Sequence, residues 1–281
     1  MTPTKQQLAF FDTFGFIKFT GAFTDEADKI IDAFEGIWAD HGGGHHGEAH
    51  DYKQRSAILP FIDQSEYLSS VIDHSLVDGF LSAVLGDKYN YTASDGNFYV
   101  GDTGWHSDNF TPKYKNIKMA FYLDTVTRDT GCLRVIPGSH RQNDVFADAL
   151  HEVAPRSRVR HTEEQWGVHG SEVPAYAIES VPGDLLVFNQ AIKHSSWGGH
   201  DRRRMFTMNF SERYRDEDIE LLREDIGGLA GFWTETVYGD QMVKTASPQR
   251  MVHLEQRLAN ADHLPALVAK AKAEMAEPAR G

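Results

Sequence analysis

A chain of 281 residues can bury a sizeable core, as one large domain or two small ones. Its apolar share of 41% and charged share of 25% are those of an ordinary globular protein, and a formal net charge of -13 argues against a general nucleic-acid surface. A single cysteine, Cys132, excludes an intrachain disulfide and a zinc site built on several thiolates, and fits a reducing compartment.

Leu8, Phe11 and Phe14 recur at helical spacing over residues 5 to 14, an amphipathic start in place of a signal sequence. No apolar run is long enough for a membrane span, so a soluble cytoplasmic protein is expected, without membrane or nucleic-acid partners. Gly15 breaks the first helix, and Phe16 to Phe19 reads as a brief strand. Thr24 stands as an N-cap for a helix from Asp25 to about Trp38, whose Ala27, Ile30, Ile31, Phe34 and Ile37 form a core-facing stripe. The tract from His41 to His50 holds four histidines and four glycines; glycine flexibility makes it read as a mobile surface loop before a metal site.

A second helix is expected from Glu66 to about Leu85, ended by Gly86. The apolar period then changes from 3.6 toward 2. Residues 97–100, 118–124, 175–179, 185–188 and 204–210 read as strands. Helices followed by many short strands with Gly and Pro turns suggest helices packed against a sandwich or barrel. Residues 141–174 interrupt the strands with a long polar excursion bearing Arg141, Arg156, Arg158 and Arg160. Two readings stand side by side: a lid whose arginines draw in an anion, or a salt-bridged surface excursion. Beyond Ser211, Trp233 and Tyr238 either cover the barrel or enter a dimer contact, and residues 264–276 suit a helix.

Four stretches carry chemistry. In Trp105-His106-Ser107-Asp108 an extended backbone places the imidazole and the carboxylate on one face. Completed by a second histidine, such a pair is the facial triad of non-heme iron(II) oxygenases; alone, it is equally a surface turn. The others are Thr130 to His140, a turn, strand and turn ending in histidine; Pro182 to Ser195, where a tight turn launches an apolar strand before His194; and Arg202 to Phe210, an arginine cluster entering a strand.

In order and spacing these stretches resemble the phytanoyl-CoA dioxygenase (PhyH) family of Fe(II)- and 2-oxoglutarate-dependent oxygenases. The resemblance rests on Trp105-His106-x-Asp108, on Gly131-x-Leu133-x-Val135-x-Pro137-Gly138-Ser139-His140, and on Gly183-Asp184 leading to His194-x-Ser196. It spans roughly residues 8 to 210. It implies an all-β core with flanking helices, a double-stranded β-helix (jelly roll, cupin-like). The expected layout is a single oxygenase domain over 1–281, with N-terminal helices in 1–95, the β-helix core in 96–210 including the excursion 141–174, and a C-terminal extension in 211–281.

By the same resemblance His106, Asp108 and His194 are the catalytic iron ligands. Arg203, nine residues after His194, takes the far carboxylate of 2-oxoglutarate through its planar fork. In other members this gap is often eleven residues, which leaves Arg202 and Arg204 as alternatives, although Arg204 points to the opposite strand face. Lys118 and Ser196 are further cofactor-binding candidates; Asn97, Tyr99, Asn109, His140 and Arg158 are substrate candidates. The implied reaction consumes O2 and 2-oxoglutarate, releases succinate and CO2, and hydroxylates a small molecule. Related halogenases replace the metal carboxylate by a small residue, whereas this chain keeps Asp108, so hydroxylation is expected. Lys113, Lys115, Lys118 and the excursion's arginines favour an anionic substrate, with an organophosphonate, a natural-product precursor or an acyl-CoA as classes. The rival reading is a non-redox metal- or small-ligand-binding barrel. The assembly is expected to be a monomer or homodimer.

Overall fold

The computed structural model describes residues 3–109, 113–154 and 162–280. Helix α1 (Lys5–Phe14) opens on a capping box, in which the Thr4 hydroxyl accepts from the Gln7 N–H and the Gln7 side chain accepts from the Thr4 N–H. Strand β1 (Phe16–Phe19) follows, then one turn of 3-10 helix at Thr24–Glu26 and helix α2 (Ala27–Asp40). Thr24 thus lies inside the 3-10 turn, and the expected side-chain cap is not made.

The histidine tract is more ordered than expected. Positive φ at Gly42, Gly43 and Gly47 coils the chain so that imidazoles reach buried carbonyls. His45 sits between the Ala57 and Pro278 carbonyl oxygens at 3.2 and 3.0 Å, and His50 between the Ser56 hydroxyl and the Asp201 carbonyl oxygen at 2.8 and 2.7 Å. The tract therefore clamps strand β2 (Ser56–Ile58) to the chain's final residues.

The helix expected over 66–85 is two, α3 (Glu66–Ser70) and α4 (Ser75–Leu85). His74 breaks it in extended conformation and accepts the Leu76 N–H through Nδ1. Tertiary contacts hold the break: the Arg250 guanidinium grips Asp73, and the His74 ring lies 4.5 Å from that of Phe23.

The remaining strands are β3 (Asn90–Tyr99), β4 (Thr103–His106), β5 (Asn116–Tyr122) and β6 (Leu133–Val135), then, after α5 (Val145–Val153) and α6 (Thr162–Trp166), β7 (Tyr176–Ile178), β8 (Leu185–Asn189), β9 (His194–Ser196) and β10 (Arg203–Ser211). They form two antiparallel sheets, β1-β8-β5-β10-β3-β2 and β4-β9-β6-β7. This is the expected double-stranded β-helix. Strand β1 lies where it is expected, whereas β2 and the first half of β3 fall within the segment expected to be helical; β2 has only three residues and joins the sheet edge, so it needs no long alternating run of its own.

Period-two alternation sorts the large sheet's side chains. Ile117, Met119 and Phe121 of β5, with Phe206, Met208 and Phe210 of β10, face the helices and bury with Phe34, Phe80 and Leu81. Ala120, Tyr122, Phe188 and Met205 face the small sheet and bury with Leu133, Val135 and Ile178. Each fully buried aliphatic or aromatic side chain contributes about 1.5–3 kcal/mol. Lys118 belongs to the inward set, which is why it interrupts an otherwise apolar strand.

The described part of the excursion lies elsewhere than over the cavity. Leu150, Trp166 and Val173 pack on Trp105, Ile136 and Trp197, and the Trp105 indole N–H donates to the Gly170 carbonyl at 2.9 Å. The C-terminal extension, α7 (Ile219–Gly227), α8 (Asp240–Lys244), α9 (Pro248–Leu258) and α10 (Leu264–Glu274), joins the helix-side core through Leu222, Ile226, Met242 and Leu254. Tyr238 is buried and donates to the Tyr91 carbonyl at 2.5 Å, while the half-buried Trp233 packs edge-on to His46. Among the described residues no single helix is long and apolar enough to cross a membrane.

Candidate active site

Strands β4 and β9 pair with His106 directly opposite His194, and the two ring centroids lie 4.2 Å apart. Each imidazole is oriented by its Nδ1: His106 faces the Gly104 carbonyl oxygen at 2.8 Å and His194 the Ile192 carbonyl oxygen at 3.0 Å. Backbone carbonyls accept only, so both Nδ1 atoms carry the proton and both Nε2 atoms present lone pairs. Asp108 completes the group, with its Oδ1 3.5 Å from His106 Nε2 and its Oδ2 3.7 Å from His194 Nε2. It lies two residues past the end of β4 in a bend. Its position comes from the loop, where the Asp108 and Asn109 N–H groups both donate to the Gln190 carbonyl and the Ser107 hydroxyl donates to the Ala191 carbonyl. Strand alternation alone therefore does not explain the convergence; the β8–β9 turn does.

The three ligand atoms lie within 4.8 Å of one another. Burial pushes His194 down to about 3, aided by the neighbouring His106, so the ring is neutral and ready to ligate. Burial alone would raise the Asp108 carboxyl, but Lys118, whose Nζ lies 2.5 Å from Oδ2, and the two imidazoles hold it well below the usual carboxylate range. Burial would likewise lower Lys118, but Asp108 and Asp95 raise it instead. Two neutral imidazoles and one carboxylate form a donor set that fits a divalent iron and leaves coordination positions open.

This cluster opens on a cavity of about 320 Å3 between the sheets. At its wall stands Arg203, only 1% exposed, whose Nε and Nη1 have no hydrogen-bond partner among the described residues. A buried, unpartnered guanidinium is costly and is built to meet an anion. The slot is cut for it: a Cβ on Gly131 or on Gly199 would lie 2.0 Å from Arg203 Nη1. The neighbouring arginines are engaged outside the cavity. Arg204 pairs with Asp124 and Glu35, and Arg202 pairs with Glu35 over the Phe98 ring.

The sequence model of the phytanoyl-CoA dioxygenase (PhyH) family matches residues 15–205. The chain belongs to this family. It is therefore an Fe(II)- and 2-oxoglutarate-dependent dioxygenase. Solved structures share the fold at low identity. EctD from S. alaskensis, crystallised with 2-oxoglutarate and 5-hydroxyectoine, is 22% identical, with 75% of this chain and 76% of that chain covered and a TM-score of 0.55. HygX from Streptomyces hygroscopicus, with nickel and 2-oxoglutarate bound, is 14% identical (76% and 89% covered, TM-score 0.58). SnoK, a non-heme alpha ketoglutarate dependent carbocyclase from nogalamycin biosynthesis, is 19% identical (79% and 90% covered, TM-score 0.56). Among curated proteins no sequence matches.

Within this PhyH-family fold the residues singled out from the sequence separate into groups. His106, Asp108, Lys118, His194, Ser196, Arg203 and Tyr99 all line the cavity. Ser196 donates to the Gly131 carbonyl at 2.9 Å and so fixes the arginine slot. Asn97 is fully buried beneath the surface, accepting from Arg55 and donating to Asp95, and does not line the cavity. Asn109 and His140 line an adjoining open cleft with Lys113 and Lys115. His140 there faces the Asp12 carbonyl oxygen at 3.2 Å, a tie to α1 in place of the expected cavity mouth. Arg158 lies outside the described residues, and no described residue of the excursion lines the cavity, so the expected lid is not observed among them. Among the wall residues that escaped the sequence reading are Asp95 on β3, Arg55 and Leu59 beside β2, and Leu229 and Phe232 after α7. Arg55 follows the histidine tract with no motif around it, and the last pair lies beyond the family match, so no local signal marks them.

Proposed function

We propose that this chain hydroxylates a small anionic organic molecule, coupled to conversion of 2-oxoglutarate and O2 into succinate and CO2. His106, Asp108 and His194 would hold iron(II), and Arg203 would receive the far carboxylate of 2-oxoglutarate bidentately, beside Ser196. When bound, the metal and cosubstrate supply the oxidising chemistry. The chain's own groups orient and exclude. The two Nδ1–carbonyl hydrogen bonds fix the imidazoles, and Lys118 positions Asp108 by holding Oδ2. Lys118 is occupied in that role, so we assign it to positioning and not to cosubstrate binding. Apolar walls from Leu133, Phe188 and Met205 keep water from the reacting centre.

The observation that carries this reading is Arg203, a buried cation with unpartnered nitrogens in the same cavity as a metal-ligand cluster. A closed structural metal site would need no such second anchor. Oxygen- and Fe(II)-dependent release of succinate from 2-oxoglutarate, stimulated by members of a small-acid panel, tests it. Succinate release in the wild-type chain and its loss in Arg203→Gln are expected; no Fe(II)-dependent consumption of 2-oxoglutarate under any condition of the panel sinks the proposal.

A further inference from the structure

The cavity holds a second guanidinium. Ser56 pairs with Phe98, so Arg55 falls beside Tyr99, and Arg203 pairs with Tyr99 from the other side. One inward row of the large sheet therefore reads Arg55, Tyr99, Arg203, with the guanidinium carbons 4.4 and 5.3 Å from the tyrosine ring centroid. Arg55 is held in place. Its Nε donates to Asn97 Oδ1 at 2.8 Å and its Nη2 to Asp95 Oδ2 at 3.1 Å. Asp95 in turn accepts from the Asn97 amide at 2.6 Å and from the Thr207 hydroxyl. Asp95 sits two rows closer to the row of Lys118 and Asn209, so the guanidinium reaches along the sheet toward the metal-ligand cluster. Arg55 Nη1 makes no hydrogen bond among the described residues, and the side chain is 17% exposed at the cavity wall.

Charge points the same way. The cavity is lined by three cations, Arg55, Lys118 and Arg203, and by two carboxylates, Asp95 and Asp108. A divalent iron and a dianionic 2-oxoglutarate cancel, which leaves one positive charge in a half-open cavity. An uncompensated charge there is unfavourable, and a ligand carrying one negative charge removes the imbalance. The same cavity has an apolar part of its wall in Leu59, Leu229 and Phe232.

We infer that Arg55 is the specificity-determining residue of this site: it recognises an oxyanion, carboxylate or phosphonate, on a substrate whose apolar body rests against Leu59, Leu229 and Phe232. The inference rests on the oxygenase reading above. Asp95 and Asn97 act as positioning residues that aim the fork.

The test uses the full chain loaded anaerobically with Fe(II) and 2-oxoglutarate, and reads the perturbation of the iron–cosubstrate absorption band. The probes are small carboxylic acids, the corresponding phosphonic acids, and the neutral primary amide of each carboxylic acid. Acids are expected to perturb the band and amides not. In Arg55→Gln the acids weaken roughly ten- to a hundredfold while 2-oxoglutarate affinity stays within about twofold. Arg55→Lys, which keeps the charge and loses the fork, falls between the two. The carboxylate and phosphonate arms show which oxyanion the fork prefers. Amides binding as well as acids, no acid binding, or acid affinity unchanged in Arg55→Gln overturns the inference. The comparison of acids with amides is made on the wild-type chain and holds even if a variant misfolds. Absence of the absorption band itself contradicts the oxygenase reading instead.

Discussion

The residues proposed for the cofactor end of the cavity and those proposed for its substrate end, which meet at Tyr99, are built into the fold by different means. At the cofactor end, His106, His194 and Ser196 come from the paired strands β4 and β9 and Arg203 from β10 of the facing sheet, and each lies in or beside a short motif. At the substrate end, Arg55 and Leu59 flank a three-residue edge strand, while Leu229 and Phe232 come from a 3-10 turn after α7, beyond the family match. The first end must satisfy fixed chemistry, so its residue types and spacings are constrained. The second needs only to present a surface, and it draws on the parts of the chain that are free to differ.

The chain's last residues bind the substrate end together. The Ala279 N–H donates to the Gly231 carbonyl at 2.8 Å, Arg280 donates to the Arg55 carbonyl at 3.0 Å, and His45 meets the Pro278 carbonyl. One strap thus crosses both the Arg55 segment and the turn carrying Phe232.

The largest effect is expected where the difference between the ends is sharpest. Asp108→Ala should weaken Fe(II) binding by more than about a hundredfold, measured by equilibrium dialysis, because it removes the only carboxylate ligand of the cluster. Retention of iron by this variant would break the assignment of the cofactor end.

Next is the attachment of the extension. Asp63 accepts from the Tyr91 hydroxyl at 2.5 Å and from the Gly239 N–H at 3.0 Å, tying β3 to the segment before α8. Burial raises its carboxyl from 3.8 to about 6, against the pull of these hydrogen bonds. Folding thus favours the protonated form. Its stabilising contribution is complete below the unfolded value and is lost as pH rises through about 6. Between about pH 4 and about pH 7 the wild type should lose roughly 2 kcal/mol relative to Asp63→Asn in urea unfolding. A difference between the two proteins that does not change with pH contradicts this.

Smaller effects distinguish the ends directly. Phe232→Ala should weaken substrate binding by about 1–3 kcal/mol and leave 2-oxoglutarate affinity in place, by titration of each ligand. Ending the chain after Glu274 should shift the same two affinities in the same unequal way, since the strap touches only the substrate end. Equal losses of both ligands would merge the two ends into one. Lys118→Met should lower Fe(II) affinity about tenfold through a freed Asp108, with less effect on 2-oxoglutarate.

The same division explains what the sequence disclosed. Strand alternation in β5, β8 and β10 and the helix stripe of α2 are local patterns and were legible, whereas the grouping of His106, Asp108, His194 and Arg203 came from the family resemblance. Arg203 is preferred on its match to the family's strand, with Arg204 expected on the opposite face; Arg204 pairs away from the cavity with Glu35 and Asp124. What stayed hidden depends on contacts far apart in the chain. The break at His74 is held by Arg250, the ordering of the histidine tract by Pro278 and Asp201, and the substrate wall by segments more than a hundred residues apart. The excursion looked like a lid because it is long and basic, yet Trp105 and Trp197 draw its described part to the outer face of the small sheet.

The most direct measurement of the central claim is an anaerobic titration of the Fe(II)-loaded chain with 2-oxoglutarate, in the wild type and in Arg203→Gln. The account predicts one cosubstrate per iron in the wild type and an affinity about ten- to a hundredfold lower in the variant, with iron content unchanged. Equal affinity in the two proteins, or 2-oxoglutarate binding that does not require the metal, would contradict it.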